Sequence, residues 1–191
     1  MARLILDITQ TLDGFIAGPG ISNELPMGRG TQSIHDWIFG GSTEADKKIF
    51  DELLASTGAV ILGHRTYSTA IDGAWGGASP FHGPAFVLCH KTASRAVTGF
   101  TYVIDGIGSA LEKARAAAGD KDIWMMGGAD AIRQYLAAGW VDEIQLHISP
   151  IVLSGGTRLF GAADTAPIRL EHTRTIETPA AIHIRYKVLK G

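Results

Sequence analysis

The stretch DIWMMGGADAIRQYL, residues 122–136, changes from an apolar run to a helix-like run at two adjacent glycines. The apolar half is typical of a strand buried in a parallel sheet, and the other half predicts a helix from about Ala129 to Ala138. Gly127 and Gly128 let a ligand approach the backbone closely, and the free N–H groups of the next helix attract an anion. The pattern favours a phosphate-binding turn. The alternatives are a tight turn without a ligand, and a helix end that Asp130 satisfies itself.

A second strand-to-helix junction lies in ILGHRTY, residues 61–67. An apolar strand again ends at a glycine, Gly63, and a short helix is expected to follow. Arg65 offers a planar fork of donors that suits phosphate, His64 lies beside it, and Thr66 adds a hydroxyl. A solvated first helical turn explains the same residues equally well. Two such junctions in one sheet strengthen the phosphate interpretation, because ligands of open α/β sheets bind beyond the carboxyl ends of the strands.

A third cationic segment is VLCHKTASR, residues 87–95, which follows another buried strand. His90, Lys91 and Arg95 could hold a further phosphate at the same edge of the sheet. A solvated cluster of charges is the alternative. A similar-looking segment, DGIGSALEKA, lacks the third glycine of the dinucleotide fingerprint, and we interpret it as the start of a helix capped by Ser109.

The rest of the chain alternates between short apolar runs and helix-like runs. This alternation predicts an α/β fold with a mainly parallel central sheet and helices on both faces. The last strand-like segments predict an antiparallel finish with a C-terminal hairpin. We find no linker or repeat and expect one domain over residues 1–191. Predicted strands cover residues 3–9, 59–63, 85–89, 101–105 and 122–126, and a long helix covers residues 42–56 with Ser42 or Thr43 at its N-cap.

The composition excludes several classes of function. A net charge of -2 gives no electrostatic reason to expect nucleic acid or an anionic membrane as partner. The single cysteine, Cys89, excludes an internal disulfide and a Cys-rich metal site, and the seven histidines form no metal-binding motif. No apolar run resembles a signal peptide or a membrane span, so we expect a cytoplasmic protein without a metal.

Six segments in a fixed order resemble the dihydrofolate reductase-like superfamily. The similarity is greatest to the branch with the reductase domain of riboflavin biosynthesis and its stand-alone bacterial relatives. It covers nearly the whole chain, from residue 9 to the terminal hairpin. The segments are TQTLDGFIAG, VILGHRTY, FVLCHK, WMMGGADAIRQYL, VDEIQLHISPIVLSGGTRLF and that hairpin.

The resemblance implies NADPH as cofactor. It places the pyrophosphate at the glycine pair, the other phosphates at the second junction, and the ribose 2'-phosphate at the third segment. The nicotinamide is expected near the end of the first strand, beside backbone atoms of Thr9, and the Gly18–Gly30 segment is expected to close over the site. The implied cofactor-binding residues are Ile16, Ala17, Gly63, His64, Arg65, Thr66, His90, Lys91, Met126, Gly127, Gly128, Ala129 and Asp130.

The implied activity is reduction of a small heterocyclic or carbonyl substrate. Asp13 is the candidate catalytic side chain, either polarising the substrate or relaying a proton, and its alternative role is to stabilise the LDG turn. Glu24, Trp37 and Asp46 are possible substrate contacts. Many relatives have Arg where this chain has His64, which is not always charged at neutral pH.

Two other functions stay open from the sequence. One is a non-catalytic nucleotide-binding module, and the other is an enzyme that binds a different phosphate-bearing ligand at the same strand ends. The resemblance also implies a homodimer, with the EIQLHISPIVL region as the expected interface. Folate reduction is not expected, because Lys47 lies at or beside the place of the pterin-binding carboxylate. Zinc-dependent deamination is excluded, because one cysteine cannot complete the metal site.

Overall fold

A computed structural model describes residues 2–91, 95–161 and 167–190. Strands and helices alternate through most of these residues, and the final two strands are joined by a short turn. The strands are β1 (Leu4–Thr11), β2 (Phe15–Ala17), β3 (Thr57–Gly63), β4 (Ala85–Leu88), β5 (Phe100–Val103), β6 (Asp122–Gly127), β7 (Glu143–Ser149), β8 (Thr157–Arg158), β9 (Leu170–Glu177) and β10 (Ile182–Val188). The helices are α1 (Asp36–Phe39), α2 (Glu44–Ser56), α3 (His64–Ala70), α4 (Gly106–Ala118) and α5 (Ala129–Ala137).

Eight of the described strands form one sheet in the order β5-β4-β3-β6-β1-β7-β10-β9. From β5 to β7 every neighbouring pair is parallel, and β10 is antiparallel to both β7 and β9. The predicted α/β class, the mainly parallel sheet and the antiparallel C-terminal hairpin are therefore confirmed. One detail was wrong: β7 is not purely antiparallel, because it is the parallel neighbour of β1 and the antiparallel neighbour of β10.

Helices cover both faces of the sheet, as the sequence predicts. On one face α4 and α5 bury small and apolar side chains, such as Ala114 and Ile132, against Leu6 and Ile61. On the other face α2 and α3 contribute Leu53 and Tyr67 to a cluster with strand residues of β3, β4 and β6. No described helix is long and apolar enough to cross a bilayer.

The start of α2 shows how local sequence fixes an element. Thr43 is the N-cap, and its hydroxyl accepts from the N–H of Asp46 at 3.3 Å. The Asp46 carboxylate accepts from the Thr43 N–H at 2.7 Å, which completes a reciprocal capping box. The sequence predicted either Ser42 or Thr43 as this N-cap. The predicted Ser109 cap of α4 was wrong, because that helix begins three residues earlier, at Gly106, with Asp105 as its N-cap.

Three short elements were not predicted from the sequence. They are β2, β8 and α1, none of which exceeds four residues. Such lengths are too short to show a hydrophobic period. β2 and β8 pair with each other as a separate two-stranded ribbon. This ribbon joins the segment after β1 to the segment after β7, and so shapes the edge of the sheet where both strands end.

Candidate functional site

The two glycine junctions lie side by side at the carboxyl ends of β3 and β6. These strands are neighbours, and Leu62 pairs with Gly127. A Cβ atom placed on Gly63 would lie 3.4 Å from the Gly128 nitrogen. A Cβ atom placed on Gly128 would lie 3.3 Å from the hydroxyl oxygen of Thr66. The sequence motifs are about 60 residues apart, yet the fold brings their backbones together, with Gly63 and Gly128 half-buried and Gly127 buried.

Gly127 requires the absence of a side chain for its own conformation. Its φ angle is +142°, in the region that L-residues rarely adopt. The peptide bond that joins Gly127 to Gly128 is cis. A Cβ atom at Gly127 would also lie 3.7 Å from Ile8 Cδ1 and 3.8 Å from Thr66 Oγ1. The glycine at this position is thus explained by backbone geometry as well as by access.

Helix α5 begins directly after this turn, with Gly128 as its N-cap and no side-chain capping hydrogen bond among the described residues. The sequence analysis gave Asp130 as the side chain that could accept hydrogen bonds from the N–H groups at that helix end. Its carboxylate instead pairs with Arg133 at 3.1 Å and is mostly exposed. Ala129 is buried beneath the turn, and Met126 is half-buried in the preceding strand. The first N–H groups of α5 can therefore donate hydrogen bonds to an anion.

Histidine, arginine and lysine side chains follow the carboxyl ends of β3 and β4. His64 and Arg65 are exposed in the first turn of α3. His90 and Lys91 are exposed just beyond β4, which pairs with β3 so that Leu88 lies opposite Gly63. The third segment is only partly described, because residues 92–94 lie outside the described ranges. Its remaining cation, Arg95, is paired with Asp72 at 2.7 Å.

Asp13 lies in the turn between β1 and β2, where protein groups bind its carboxylate. It accepts hydrogen bonds from the Thr11 hydroxyl at 2.6 Å, the Leu153 N–H at 3.1 Å and the Ser154 N–H at 2.7 Å. The Thr11 hydrogen bond, together with those backbone donors, lowers the pKa of Asp13 to about 2. The carboxylate is therefore ionised at neutral pH and links two loops. This geometry favours the turn role that the sequence left open.

The predicted nicotinamide segment is mostly buried. Ile16 and Ala17 belong to β2, which lies against β1 and pairs with β8. The following Gly18–Gly30 segment folds back on itself, since the Gly18 N–H donates to the Met27 carbonyl at 2.8 Å. A Cβ atom on Gly28 would lie 2.2 Å from the Gly18 carbonyl oxygen, so the two limbs of this loop are in close contact.

The three possible substrate contacts have different environments. Glu24 is exposed in the Gly18–Gly30 loop and accepts from the Ser22 hydroxyl at 2.8 Å. Trp37 and Asp46 lie in the interior, with 2% and 0% of their surface exposed. The polar atoms of both buried residues already bond to protein groups. Neither side chain reaches the surface.

A buried polar chain lies beneath α1 and α2, and the sequence analysis did not identify it. Asp7 Oδ1 lies 3.0 Å from His147 Nε2, His147 Nδ1 lies 2.6 Å from His183 Nδ1, and His183 Nε2 lies 2.9 Å from Asp46 Oδ1. None of the four side chains is more than 4% exposed. In the sequence, three of these residues are visible only as polar residues within strand-like segments. The segments are LILDIT, QLHIS and IHIRY. We call these four residues the buried Asp-His chain.

Trp37 joins this chain to the end of β1. Its ring stacks on His147 with centroids 4.0 Å apart, and its Nε1–H donates to the Thr9 hydroxyl at 2.9 Å. Thr9 is the residue whose backbone was predicted to lie near the nicotinamide. The short helix α1 therefore covers the carboxyl half of β1 on the α2 face.

A cavity of about 240 Å³ lies at the opposite end of the sheet from the glycine junctions. It is enclosed by α2 and by the amino halves of β1, β3 and β6. Asp7 lines it, together with charged residues at its rim that include Arg3, Glu52, Asp122 and Arg185. All four of these rim residues are in ion pairs: Arg3 with Asp122, Glu52 with Arg174, and Arg185 with Glu143.

Comparison with known proteins agrees with this architecture. The chain is 26% identical to the uncharacterized protein YyaP of Bacillus subtilis (strain 168), over 92% of this chain and 90% of that protein. A crystal structure from Shewanella sp. PV-4, of a protein named for riboflavin biosynthesis, matches with a TM-score of 0.73 at 19% identity and full coverage of both chains. A pyrimidine reductase-like protein from Corynebacterium diphtheriae matches with a TM-score of 0.64 at 15% identity, over 100% of this chain and 93% of that one.

The same fold occurs within a larger enzyme. The diaminohydroxyphosphoribosylaminopyrimidine deaminase/5-amino-6-(5-phosphoribosylamino)uracil reductase of Thermotoga maritima matches with a TM-score of 0.65 at 12% identity, over 98% of this chain and 57% of that one. These similarities confirm the predicted dihydrofolate reductase-like fold. Residues 2–183 match the family model of the RibD C-terminal domain. The chain therefore belongs to the RibD C-terminal domain family.

Proposed function

We propose that this protein is an NADPH-dependent reductase of a small heterocyclic or carbonyl compound. The observation that carries the proposal is the pair of glycine junctions at one sheet edge, where Gly63, Gly127 and Gly128 place no side chain over the backbone beside Thr66. Gly63 and Gly128 are half-buried, and Gly127 is buried. Membership of a reductase-like family supports the same conclusion. When bound, NADPH supplies the hydride for the reduction.

The residues at this edge fit the parts of the cofactor. The uncapped N–H groups at the start of α5 suit a pyrophosphate, and the glycines allow its close approach. Arg65 and Lys91 are exposed cations on adjacent strand ends, which suits the doubly charged 2'-phosphate that distinguishes NADPH from NADH. The contribution of the protein is to bind and orient the two reactants and to exclude water.

The first test is a fluorescence titration of the protein with NADPH and with NADH. The proposal expects NADPH to bind at least tenfold more tightly, since one bidentate or charge-assisted phosphate contact contributes roughly 1.5–3 kcal/mol. Equal affinity for both nucleotides would contradict the assignment of the 2'-phosphate to Lys91 and Arg65. If neither nucleotide binds, the glycine pair is a tight turn without a ligand or a site for another phosphate-bearing ligand.

Charge-removing variants sharpen this test. Arg65→Ala and Lys91→Ala are expected to weaken NADPH binding and to leave NADH binding nearly unchanged. Lys121→Ala is the matched control, because Lys121 is an exposed lysine that precedes β6 at the opposite edge of the sheet. A similar loss in all three variants would indicate a general charge effect instead of a defined phosphate contact.

Turnover separates a reductase from a non-catalytic nucleotide-binding module. The measurement is NADPH oxidation in the presence of aminopyrimidine, pteridine, aldehyde and ketone acceptors. We expect oxidation with at least one acceptor class and none without an acceptor. Tight NADPH binding without oxidation in any class would favour the module.

We also propose a homodimer. The interface expected from the sequence is the EIQLHISPIVL region, residues 143–153. Its strand, β7, is paired on both sides, so the edge of β7 is not available. Val152, in the part of the region that follows β7, and Leu12, in the loop after β1, are both 65% exposed and are the candidate contacts. Light scattering coupled to size-exclusion chromatography tests this. Dimerisation that Val152→Asp abolishes supports the surface, whereas a monomer at all concentrations contradicts it.

A further inference from the structure

The buried Asp-His chain contains three close polar contacts between four titratable groups. Each terminal contact joins a carboxylate oxygen to an imidazole Nε2, Asp7 to His147 at 3.0 Å and Asp46 to His183 at 2.9 Å. The central contact joins the Nδ1 atoms of the two imidazoles at 2.6 Å. A contact of this length between two nitrogens requires a hydrogen between them, because two facing lone pairs would repel.

Counting hydrogens gives an unusual result. Three contacts need three hydrogens, whereas two neutral imidazoles between two carboxylates supply only two. We infer that the folded protein binds one additional proton on the Asp7–His147–His183–Asp46 chain and keeps it at neutral and mildly alkaline pH. The proton resides on the imidazole pair, so the two rings share three ring hydrogens and the net charge of the chain is −1.

The surroundings favour one additional proton and disfavour a second. Asp46 keeps its negative charge because hydrogen bonds from Thr43, Thr178 and His183 outweigh the effect of burial and lower its pKa. Burial and the neighbouring His147 lower the pKa of His183, so the two imidazoles do not both become charged.

The segment before α1 contributes one further titratable group, His35, which is half-buried. Burial of its ring, together with His147, lowers its pKa to about 4, so it stays neutral. α1 itself presents the uncharged Trp37, and the turn after β9 presents Thr178. The charged rim of the cavity faces the Asp7 end, with Arg3, Glu52, Asp122 and Arg185.

The proton completes the hydrogen bonds that hold α2 against the sheet, and α1 packs on one of the bonded histidines. Asp46 belongs to α2, Asp7 to β1, and the histidines to β7 and β10, while Trp37 of α1 stacks on His147. Removing the proton at high pH leaves two imidazole lone pairs facing each other inside the protein. The contacts that hold α2 against the sheet therefore weaken as the pH rises.

The sign of the pH dependence follows from proton linkage. Between the ordinary histidine pKa of about 6.5 and the higher pKa of the chain, the folded state holds one proton that the unfolded state has lost. The stabilisation that this one proton contributes is thus fully present below this window and falls as the pH rises through it. The unfolding equilibrium constant is expected to increase nearly tenfold per pH unit from pH ~7.5 to ~8.5.

The first experiment is NMR of the wild-type protein with ¹⁵N-labelled histidine at pH ~8, where ordinary histidines are neutral. The expected result is that His147 and His183 together carry three ring N–H hydrogens, with one strongly downfield proton signal from the Nδ1 contact. Two neutral rings with one hydrogen each would overturn the inference. This measurement needs no variant.

The second experiment compares denaturant unfolding of three proteins across the same pH range. His183→Phe replaces one imidazole by an apolar ring, so the third hydrogen is no longer required, and the alkaline loss of stability should disappear. His172→Phe is the control, because His172 is an exposed histidine on the neighbouring strand β9, and it should keep the wild-type slope. Equal slopes in wild type and His183→Phe would overturn the inference. If His183→Phe does not fold, the NMR result decides alone.

Discussion

Gly127 is the residue where the proposed cofactor site is most sensitive to a single methyl group. Its φ of +142° strains any L-residue, and a Cβ atom there would contact Ile8 and Thr66. We expect Gly127→Ala to destabilise the protein by about 1–3 kcal/mol, the usual cost of a residue in a sparsely populated backbone region. It should also weaken NADPH binding at least tenfold, because the backbone of the glycine turn shifts.

Gly41→Ala provides the matched control for this change. Gly41 lies between α1 and α2, and a Cβ atom there would have no neighbour within 4 Å. Fluorescence titration and denaturant unfolding of both variants check the prediction. Wild-type affinity and stability in Gly127→Ala would show that the turn does not depend on its backbone geometry.

Asp13 offers a test between chemistry and structure at the scale of one side chain. Asn at this position keeps an oxygen that can accept from the N–H groups of Leu153 and Ser154, but it cannot transfer a proton. If Asp13 is a turn residue, Asp13→Asn keeps most of the turnover and Asp13→Ala loses stability. A large fall in kcat for Asp13→Asn, with NADPH affinity unchanged, would instead support a catalytic role.

The low pKa of Asp13 also predicts a pH dependence. Its folded value of about 2 lies below the ordinary 3.8, so its stabilising effect is fully present above pH 3.8 and is lost as the pH falls toward 2. The difference in melting temperature between wild type and Asp13→Ala should therefore be largest near neutral pH and shrink in acid. Asp120→Asn, an exposed aspartate before β6, should show no such difference.

Helix α1 is only four residues long, and its position depends on Trp37. Thr9→Val removes the hydroxyl that accepts from the Trp37 Nε1–H, and an unsatisfied buried donor costs about 1–3 kcal/mol. Trp37→Phe removes the donor together with part of the buried ring. Because the two residues share one hydrogen bond, the double variant should be less destabilised than the sum of the two single variants. Additive losses, measured by denaturant unfolding, would contradict this coupling.

Elements with a clear period were predictable from the sequence, and those without one were not. The strands β3, β4 and β6 are continuous apolar runs, and α2 has both an apolar face and a capping box. α1, β2 and β8 are too short to show a period. The buried Asp-His chain was missed for a different reason. Asp7 and the two histidines lie in strand sequences, Asp46 lies in the polar first turn of α2, and the partners are separated by up to 140 residues.

At the scale of the whole molecule, the order of strands in the sheet decides which motifs meet. Crossover connections place β6 between β3 and β1, and this makes the GHRT and MGGAD segments neighbours. The sequence predicted that both lie at strand ends, but their contact depends on that order, which local patterns do not encode. The family resemblance supplied the expectation, and the geometry at Gly63, Thr66 and Gly128 agrees with it.

Ligand binding at this edge should stabilise the entire fold, because the strand ends and α5 belong to the main core. NADPH at a hundred times its Kd is expected to add about 2.7 kcal/mol to the free energy of unfolding. For a protein of this length that corresponds to a rise in melting temperature of roughly 5–10 °C, since each kcal/mol shifts it by about 2–4 °C. NADH at the same concentration should give a smaller rise.

The double variant Arg65→Ala/Lys91→Ala should lose most of the difference between the two nucleotides, while Lys121→Ala keeps it. Thermal melting followed by tryptophan fluorescence checks both expectations, because Trp124 lies in β6, three residues before the glycine turn. If both nucleotides raise the melting temperature of the wild type equally, the exposed cations at the ends of β3 and β4 do not bind the 2'-phosphate. The edge would then bind the pyrophosphate of either nucleotide. The proposed selectivity for NADPH would be wrong, whereas the proposed binding at the glycine turn would stand.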